Sequence, residues 1–249
     1  MPRIFVILTA ATVLVFGGLF VQYKQQQHEA EQLQIYQSVL LDKTQQIFEQ
    51  AKDSEKPIKV NVKDERLEGD YQVMASFVLQ QMIQSAEARN SYIRELKTLG
   101  WERFLDADRL IVDKKKAYVE TEAMLKKVHA MVDAYALKID ELEHNSLVQA
   151  KDLPIDSKHS SQLAQSLRDS RKNDDAHVLF DLEKQSLAKA DAIFVVLKNN
   201  KWERRNKLFM FYEDKPLNEF NALYKEMVEL NKQMRQVSLQ NRAELNQKL

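Results

Sequence analysis

Apolar residues recur along most of this chain at alternating spacings of three and four, the signature of helices that each bury one face. From Asp70 to Leu99 the stripe runs through Met74, Phe77, Val78, Met82, Ala86, Tyr92, Ile93 and Leu96, and Gly100 follows as a stop. From about Lys115 to Val148 the pattern is more regular: Tyr118, Thr121, Leu125, Val128, Val132, Tyr135, Ile139 and Leu142 make a heptad seam. The final segment repeats it with Phe220, Leu223, Met227, Leu230, Met234 and Val237, and Pro216 sits in its first turn, where a missing N–H does no harm. Between the last two, "AIFVVL" at 192–197 is apolar over most of a helix circumference and predicts a central position in its bundle.

Two stretches depart from this period. Ile4 to Tyr23, "IFVILTAATVLVFGGLFVQY", carries no charge, and at about 1.5 Å per residue it reaches the ~30 Å of a bilayer core. It predicts a single retained transmembrane anchor, because "FVQYKQQQ" lacks the small-residue cleavage site of a secretory signal. Arg3 precedes the span, and two glutamates follow soon after Lys24, which predicts a cytoplasmic N-terminus and an exterior bulk. Nothing interrupts a helix between Gly18 and Pro57, so the span is expected to continue as a stalk with Leu33, Tyr36, Leu40 and Ile47 on one face. Residues 54–69 alternate at Ile58, Val60 and Val62, but one strand without a partner does not stand alone, and a loop is expected.

Composition agrees with the pattern. Only 4 glycines and 4 prolines punctuate 249 residues, which favours long helices. Lysine plus arginine and aspartate plus glutamate number 37 each, so no overall field draws nucleic acid to the chain. The absence of cysteine excludes disulfides, thiolate metal sites and thiol nucleophiles.

One short motif occurs twice. "LKTLGWERF" at 96–104 is echoed by "LKNNKWERR" at 197–205, and these contain the only two tryptophans. At the same offset of 101, Ala75 pairs with Ala176, Gln84 with Gln185, Ser85 with Ser186, and Asp113–Lys114 with Asp214–Lys215. The shared plan, a long helix, Trp-Glu-Arg, Asp-Lys and a heptad helix, predicts two related helical units that each need a neighbour to bury their apolar faces. The expected fold is all-α: a cytoplasmic end and transmembrane anchor (1–23), a helical stalk (24–53), a linker (54–69), and an antiparallel bundle of two halves, 70–150 and 170–249, joined by 151–169.

Chemistry is sparse. Glu141 and His144 form one Glu-x-x-His, but carboxylate metal bundles need two plus further glutamates. Ser186 and Lys189 spell S-x-x-K without the companion motifs of serine acyltransfer enzymes. No catalytic residue, metal site or cofactor is therefore expected. Trp101 with Arg103 and Trp202 with Arg204 are the candidate ligand or partner residues, since a large ring and a planar fork of donors suit binding pockets. "KWERRNKLF" at 201–209 reads as a basic, solvated helix face. The functional expectation is a non-enzymatic, single-pass protein of the bacterial inner membrane. Its bulk would be periplasmic and bind another envelope protein as scaffold, inhibitor or immunity-type partner. The alternative is a module that takes a small anionic ligand at the two motifs. Contact with lipid through residues 4–23 and self-association through the seams complete the expected interactions.

Overall fold

The computed structural model describes residues 27–172 and 175–248. The expected span at 4–23 lies outside the described residues; among those described, no helix is long and apolar enough to cross a membrane. Helix dominates: α1 (Gln27–Ala51), α2 (Gly69–Thr98), α3 (Ala107–Lys114), α4 (Val119–Lys151), α5 (Ser157–Lys172), α6 (Asp175–Asn199) and α7 (Asp214–Lys248). The all-α expectation holds; the described residues also include a two-stranded antiparallel sheet of β1 (Trp202–Arg205) and β2 (Leu208–Phe211).

The chain divides into two units, and α2 and α4 contribute to both. In one, α1, the first part of α2, the second part of α4 and α5 surround a core that includes Tyr36, Val39, Ile47, Phe77, Val78, Met82 and Leu163. The segment expected as a stalk thus places its apolar face in this core. The loop at 52–68 belongs to the same unit and sends Ile58 and Leu67 inward. It pairs with no strand among the described residues; turns satisfy part of its backbone, as from the Lys56 N–H to the Asp53 carbonyl, and side chains satisfy other groups. The Glu87 carboxylate accepts from the Ile58 N–H (2.5 Å), Gln50 Oε1 accepts from the Lys59 N–H (2.7 Å), and Ser76 donates to the Val62 carbonyl (3.3 Å). Arg66 closes the loop's far end on Asp64 (2.8 Å), and its hydrogen bond holds that carboxyl at about 2. A further tie joins the N-terminal end of α2 to that of α5: Asp70 accepts from the Asp156 N–H (2.9 Å) and bonds His159 Nδ1 (2.8 Å), and the bond from His159 lowers the Asp70 carboxyl below its ordinary value.

The other unit contains residues 93–134 and 177–239. Gly100, at φ 72°, ends the run of α2, as the sequence predicts, because only a residue without Cβ takes that conformation freely. The seam predicted on α4 is interior from Thr121 to Tyr135, but the helix starts at Val119 rather than near Lys115. The reason is a left-handed corner: Ala117 and Tyr118 have φ of 54° and 62°. Ala190, Ile193, Phe194, Val196 and Leu197 of α6 are buried, together with Phe220, Met227, Leu230 and Met234 of α7, but Val195 in the stretch expected to be central is exposed, so α6 keeps one open side. The seam of α4 is thus buried from Thr121 to Tyr135 and that of α7 at Phe220, Met227, Leu230 and Met234, while Ile139, Leu142, Leu223 and Val237 are partly exposed.

Residues 201–209, read from the sequence as a helix face, instead turn back on themselves. Asn206 and Lys207 have φ of 49° and 63°, the pair of left-handed residues that makes a two-residue turn twist in the same sense as its strands. Trp202 then faces Phe211, and Arg204 faces Phe209, with period-two alternation. The sequence signal is weak, because Asn-Lys lacks the glycine that usually marks such turns. Replacing Lys207 with glycine is expected to stabilise this unit by about 0.5–1 kcal/mol, since the left-handed penalty of a side-chain-bearing residue disappears. Chemical denaturation of Lys207→Gly against the parent, followed by tryptophan emission, measures it.

Candidate functional site

The site is assembled from the corner between α3 and α4 and from the hairpin. Each helix start there needs acceptors for its first N–H groups. Asp106 supplies them for α3, accepting from the N–H of Asp108 (2.8 Å) and Arg109 (3.1 Å). For α4 the residue at the capping position is Tyr118, whose side chain is engaged elsewhere, so the task falls to Asp113 in the last turn of α3. Its carboxylate accepts from the N–H of Glu120 (3.1 Å) and Thr121 (2.8 Å) and from the Thr121 hydroxyl (2.6 Å). Burial by itself pushes the Asp113 carboxyl up, but the Thr121 and Glu120 donors and the Arg109 charge prevail and hold it below its ordinary value.

Arg109 completes the corner. Its guanidinium lies 4.0 Å from Asp113 and donates to the Thr121 hydroxyl (3.0 Å), the Glu120 carboxylate (3.2 Å), the Arg103 carbonyl (3.1 Å) and the Phe104 carbonyl (2.7 Å). A buried cation is tolerated when its planar fork of donors is satisfied in this way. The two carbonyls belong to the turn that begins at Trp101, so the first Trp-Glu-Arg motif hangs by its backbone on Arg109.

The second motif hangs on the same segment. The Trp202 indole N–H donates to the Tyr118 hydroxyl (2.9 Å) and to the Leu197 carbonyl (2.9 Å), while the Tyr118 hydroxyl donates to that carbonyl (3.0 Å). Lys114 Nζ lies 4.5 Å from the centre of the Trp202 ring and donates to the Trp202 carbonyl (2.6 Å). Its partial burial lowers the Lys114 pKa, and burial raises that of Tyr118, which favours the hydrogen-bonded, protonated phenol. These bonds hold Tyr118 in its left-handed conformation, which otherwise costs about 1–2 kcal/mol.

Trp101 and Trp202 are 6% and 2% exposed, the first against Phe104 and the second against Phe209. Arg103 points outward and pairs with Asp106 (3.5 Å); Arg204 pairs with Asp108 of α3. An anion-binding site built on these residues needs open rings and unengaged guanidinium groups. The geometry instead makes the rings parts of the interior and the arginines braces on α3. The motifs also differ locally: Trp101–Arg103 is a 3-10 turn, whereas Trp202–Arg205 is a strand.

The other candidate groups are engaged or dispersed. Ser186 is buried, while Lys189 pairs with Glu226 (2.5 Å). Glu141 is bonded to Lys138 (3.0 Å), and His144 beside it is exposed. Among the described residues no group of three metal-ligating side chains converges. Arg109, Asp113, Tyr118 and Thr121 were not singled out as a site from the sequence, although Asp113 and Lys114 were marked by the repeat and Tyr118 and Thr121 by the seam.

The outer face of the hairpin is different in kind. Leu208 and Met210, on alternate positions of β2, are 55% and 39% exposed, and Tyr212 just beyond is 68% exposed. Arg205 and Glu203 lie opposite Leu208 and Met210 on the same face. Other large exposed apolar residues, such as Val119, Leu137 and Val178, are not grouped at such spacing. A contiguous apolar face is a recognition feature in a way that single exposed residues are not.

Asp113→Asn is expected to cost about 2 kcal/mol at neutral pH, because the Glu120 and Thr121 N–H groups and the Thr121 hydroxyl lose the charged acceptor they share. The folded-state value of Asp113 is below the unfolded one, so the unfolded chain binds more protons. The stabilisation is complete above the ordinary carboxylate range and fades as pH falls through the folded value. Urea titrations should therefore show the difference between parent and variant shrinking below about pH 4. Iodide should quench the native tryptophan emission little and the urea-unfolded emission strongly, as two interior rings require.

No protein-family model matches the chain, and no curated protein or solved structure matches it either.

Proposed function

We propose that this is a non-enzymatic helical protein of the bacterial envelope, anchored by residues 4–23 in the inner membrane. Its N-terminus is cytoplasmic, its bulk periplasmic, and it binds another envelope protein as scaffold, inhibitor or immunity-type partner. The membrane part rests on the uncharged apolar run from Ile4 to Tyr23 and on the flanking charges. The observation that carries the binding part is the hairpin face with Leu208, Met210 and Tyr212 turned to solvent.

This face is supported from behind by a rigid foundation. Phe209 packs on Trp202 and on Phe220 of α7 at ring-centre distances of 5.0 and 5.1 Å, and Arg204 is braced on α3. A hairpin held on one side presents the other without the ordering entropy that a mobile loop loses on association. The buried corner described above accordingly has a positioning role: it fixes Trp202, and Trp202 fixes the strands.

Crosslinking in intact membranes, followed by purification in mild detergent, tests the reading. A distinct protein should be recovered at a fixed ratio, and carbonate extraction should leave the chain in the membrane fraction. Repeated recovery of the chain alone overturns the binding part, and release by carbonate overturns the anchor.

A further inference from the structure

The outer face of the hairpin carries two parallel rows of side chains. Trp202 and Phe209 are buried on the inner face, so period-two alternation turns Lys201, Glu203 and Arg205 outward on one strand and Leu208, Met210 and Tyr212 outward on the other. The Tyr212 N–H donates to the Lys201 carbonyl (3.3 Å), which extends the pairs Arg205 with Leu208 and Glu203 with Met210 by one more. One row is thus apolar and open to water, with Leu208, Met210 and Tyr212 at 55%, 39% and 68% exposure. The row beside it reads plus, minus, plus.

The charges of that row are held differently. Glu203 accepts from the Tyr212 hydroxyl (3.1 Å), whereas Lys201 and Arg205 have no ion-pair partner among the described residues. The complement of the row is an acidic group at each of two points about 14 Å apart. A uniformly anionic lipid surface would also press negative charge on Glu203 and on Glu213 just beyond Tyr212. A polypeptide can place its carboxylates at Lys201 and Arg205 alone.

Backbone chemistry then selects the conformation of the occupant. The strands direct their N–H and C=O groups in the plane of the sheet, so an extended segment laid over the face finds no partners for its own backbone there. A helix satisfies its backbone internally. Its residues i, i+4 and i+8 follow one another at about 6 Å, close to the roughly 6.8 Å between Leu208, Met210 and Tyr212. Strands about 4.8 Å apart let one helix about 10 Å wide cover both rows.

We propose that the outer face of the hairpin seats one amphipathic helix of the partner protein, with its apolar row over Leu208, Met210 and Tyr212 and an adjoining acidic row against Lys201 and Arg205. The assignment rests on the protein-binding reading above and specifies the partner's chemistry.

The test uses the full chain in phosphatidylcholine nanodiscs, with methyl-labelled methionine and two short synthetic helices. Both helices carry leucine at i, i+4 and i+8; the adjoining row is glutamate in one and lysine in the other. A face this small supports weak association, so titrations run to about 1 mM. The glutamate helix should shift the Met210 methyl signal and leave that of the interior Met227 in place, and the lysine helix should bind about tenfold more weakly or less. Lys201→Glu with Arg205→Glu should reverse that preference. Leu208→Lys with Tyr212→Lys should abolish the Met210 shift while tryptophan emission stays native. Equal binding of the two helices, or an unmoved Met210 signal, overturns the assignment. So does a Met210 shift produced without peptide by phosphatidylglycerol in the nanodisc, or one that grows with the concentration of the chain alone as light scattering shows a dimer. Recovery of a crosslinked partner that survives Leu208→Lys with Tyr212→Lys removes the assignment of the face and leaves the protein-binding reading standing. Binding of the glutamate helix with no partner recovered from membranes does the reverse.

Discussion

The buried pairing of Arg109 with Asp113 is the constraint on which one whole unit depends. A helix must end and another must begin within a few residues, and the first N–H groups of the new helix need acceptors. Asp113 takes up the first N–H groups of α4, and Arg109 neutralises Asp113 while collecting the carbonyls of the turn after Trp101. Asp113 on its own would be a buried charge facing only neutral donors, whereas Arg109 also meets the Glu120 carboxylate. Together they form a closed set of donors and acceptors, which is the condition under which a low-dielectric network strengthens rather than weakens a fold.

The consequences reach outward through Tyr118 and Lys114. Because the corner forces Tyr118 into the left-handed region, its ring is carried toward the Leu197 carbonyl and the Trp202 indole, and the three share one cluster of bonds. Lys114 adds a hold on the Trp202 carbonyl. The ten-residue segment from Arg109 to Tyr118 thus grips both Trp-Glu-Arg motifs, one by its backbone and one by its ring. The hairpin inherits its position from this grip, with α3 held against β1. In the proposed function the chain of causes runs from a buried salt bridge to the exposed face of the hairpin.

The other unit solves its backbone problem by a different route. Its long loop runs in extended form over apolar residues, yet no strand pairs with it. Glu87, Gln50 and Ser76 supply hydrogen bonds from helices that flank it, and Arg66 with Asp64 fixes its end. The alternation of Ile58, Val60 and Val62 is thereby explained without a sheet: alternate residues point inward in any extended chain against a surface.

The sequence by itself determined α2, the body of α4 and α7, but it marked no helix at α5, which lies mostly in the stretch expected as a connection. Periodicity in 70–99, 115–148 and 216–237, the stop at Gly100 and the placing of Pro216 are local properties, set by which face of a helix is apolar and where a backbone N–H is dispensable. It also marked Trp101, Arg103, Trp202 and Arg204 as unusual, and all four contribute to one unit. What only tertiary structure decided is what those residues do. Whether a tryptophan lines a pocket or fills an interior depends on what packs over it, and whether an arginine is available depends on an acid that is distant in sequence, such as Asp108 for Arg204. The same holds for Trp-Glu-Arg itself, a turn at 101 and a strand at 202. A tripeptide has no preference strong enough to choose between them, so the choice fell to the corner at 109–118 and to the left-handed turn at Asn206 and Lys207. Burial and long-range pairing are properties of the assembled chain, and no local pattern carries them.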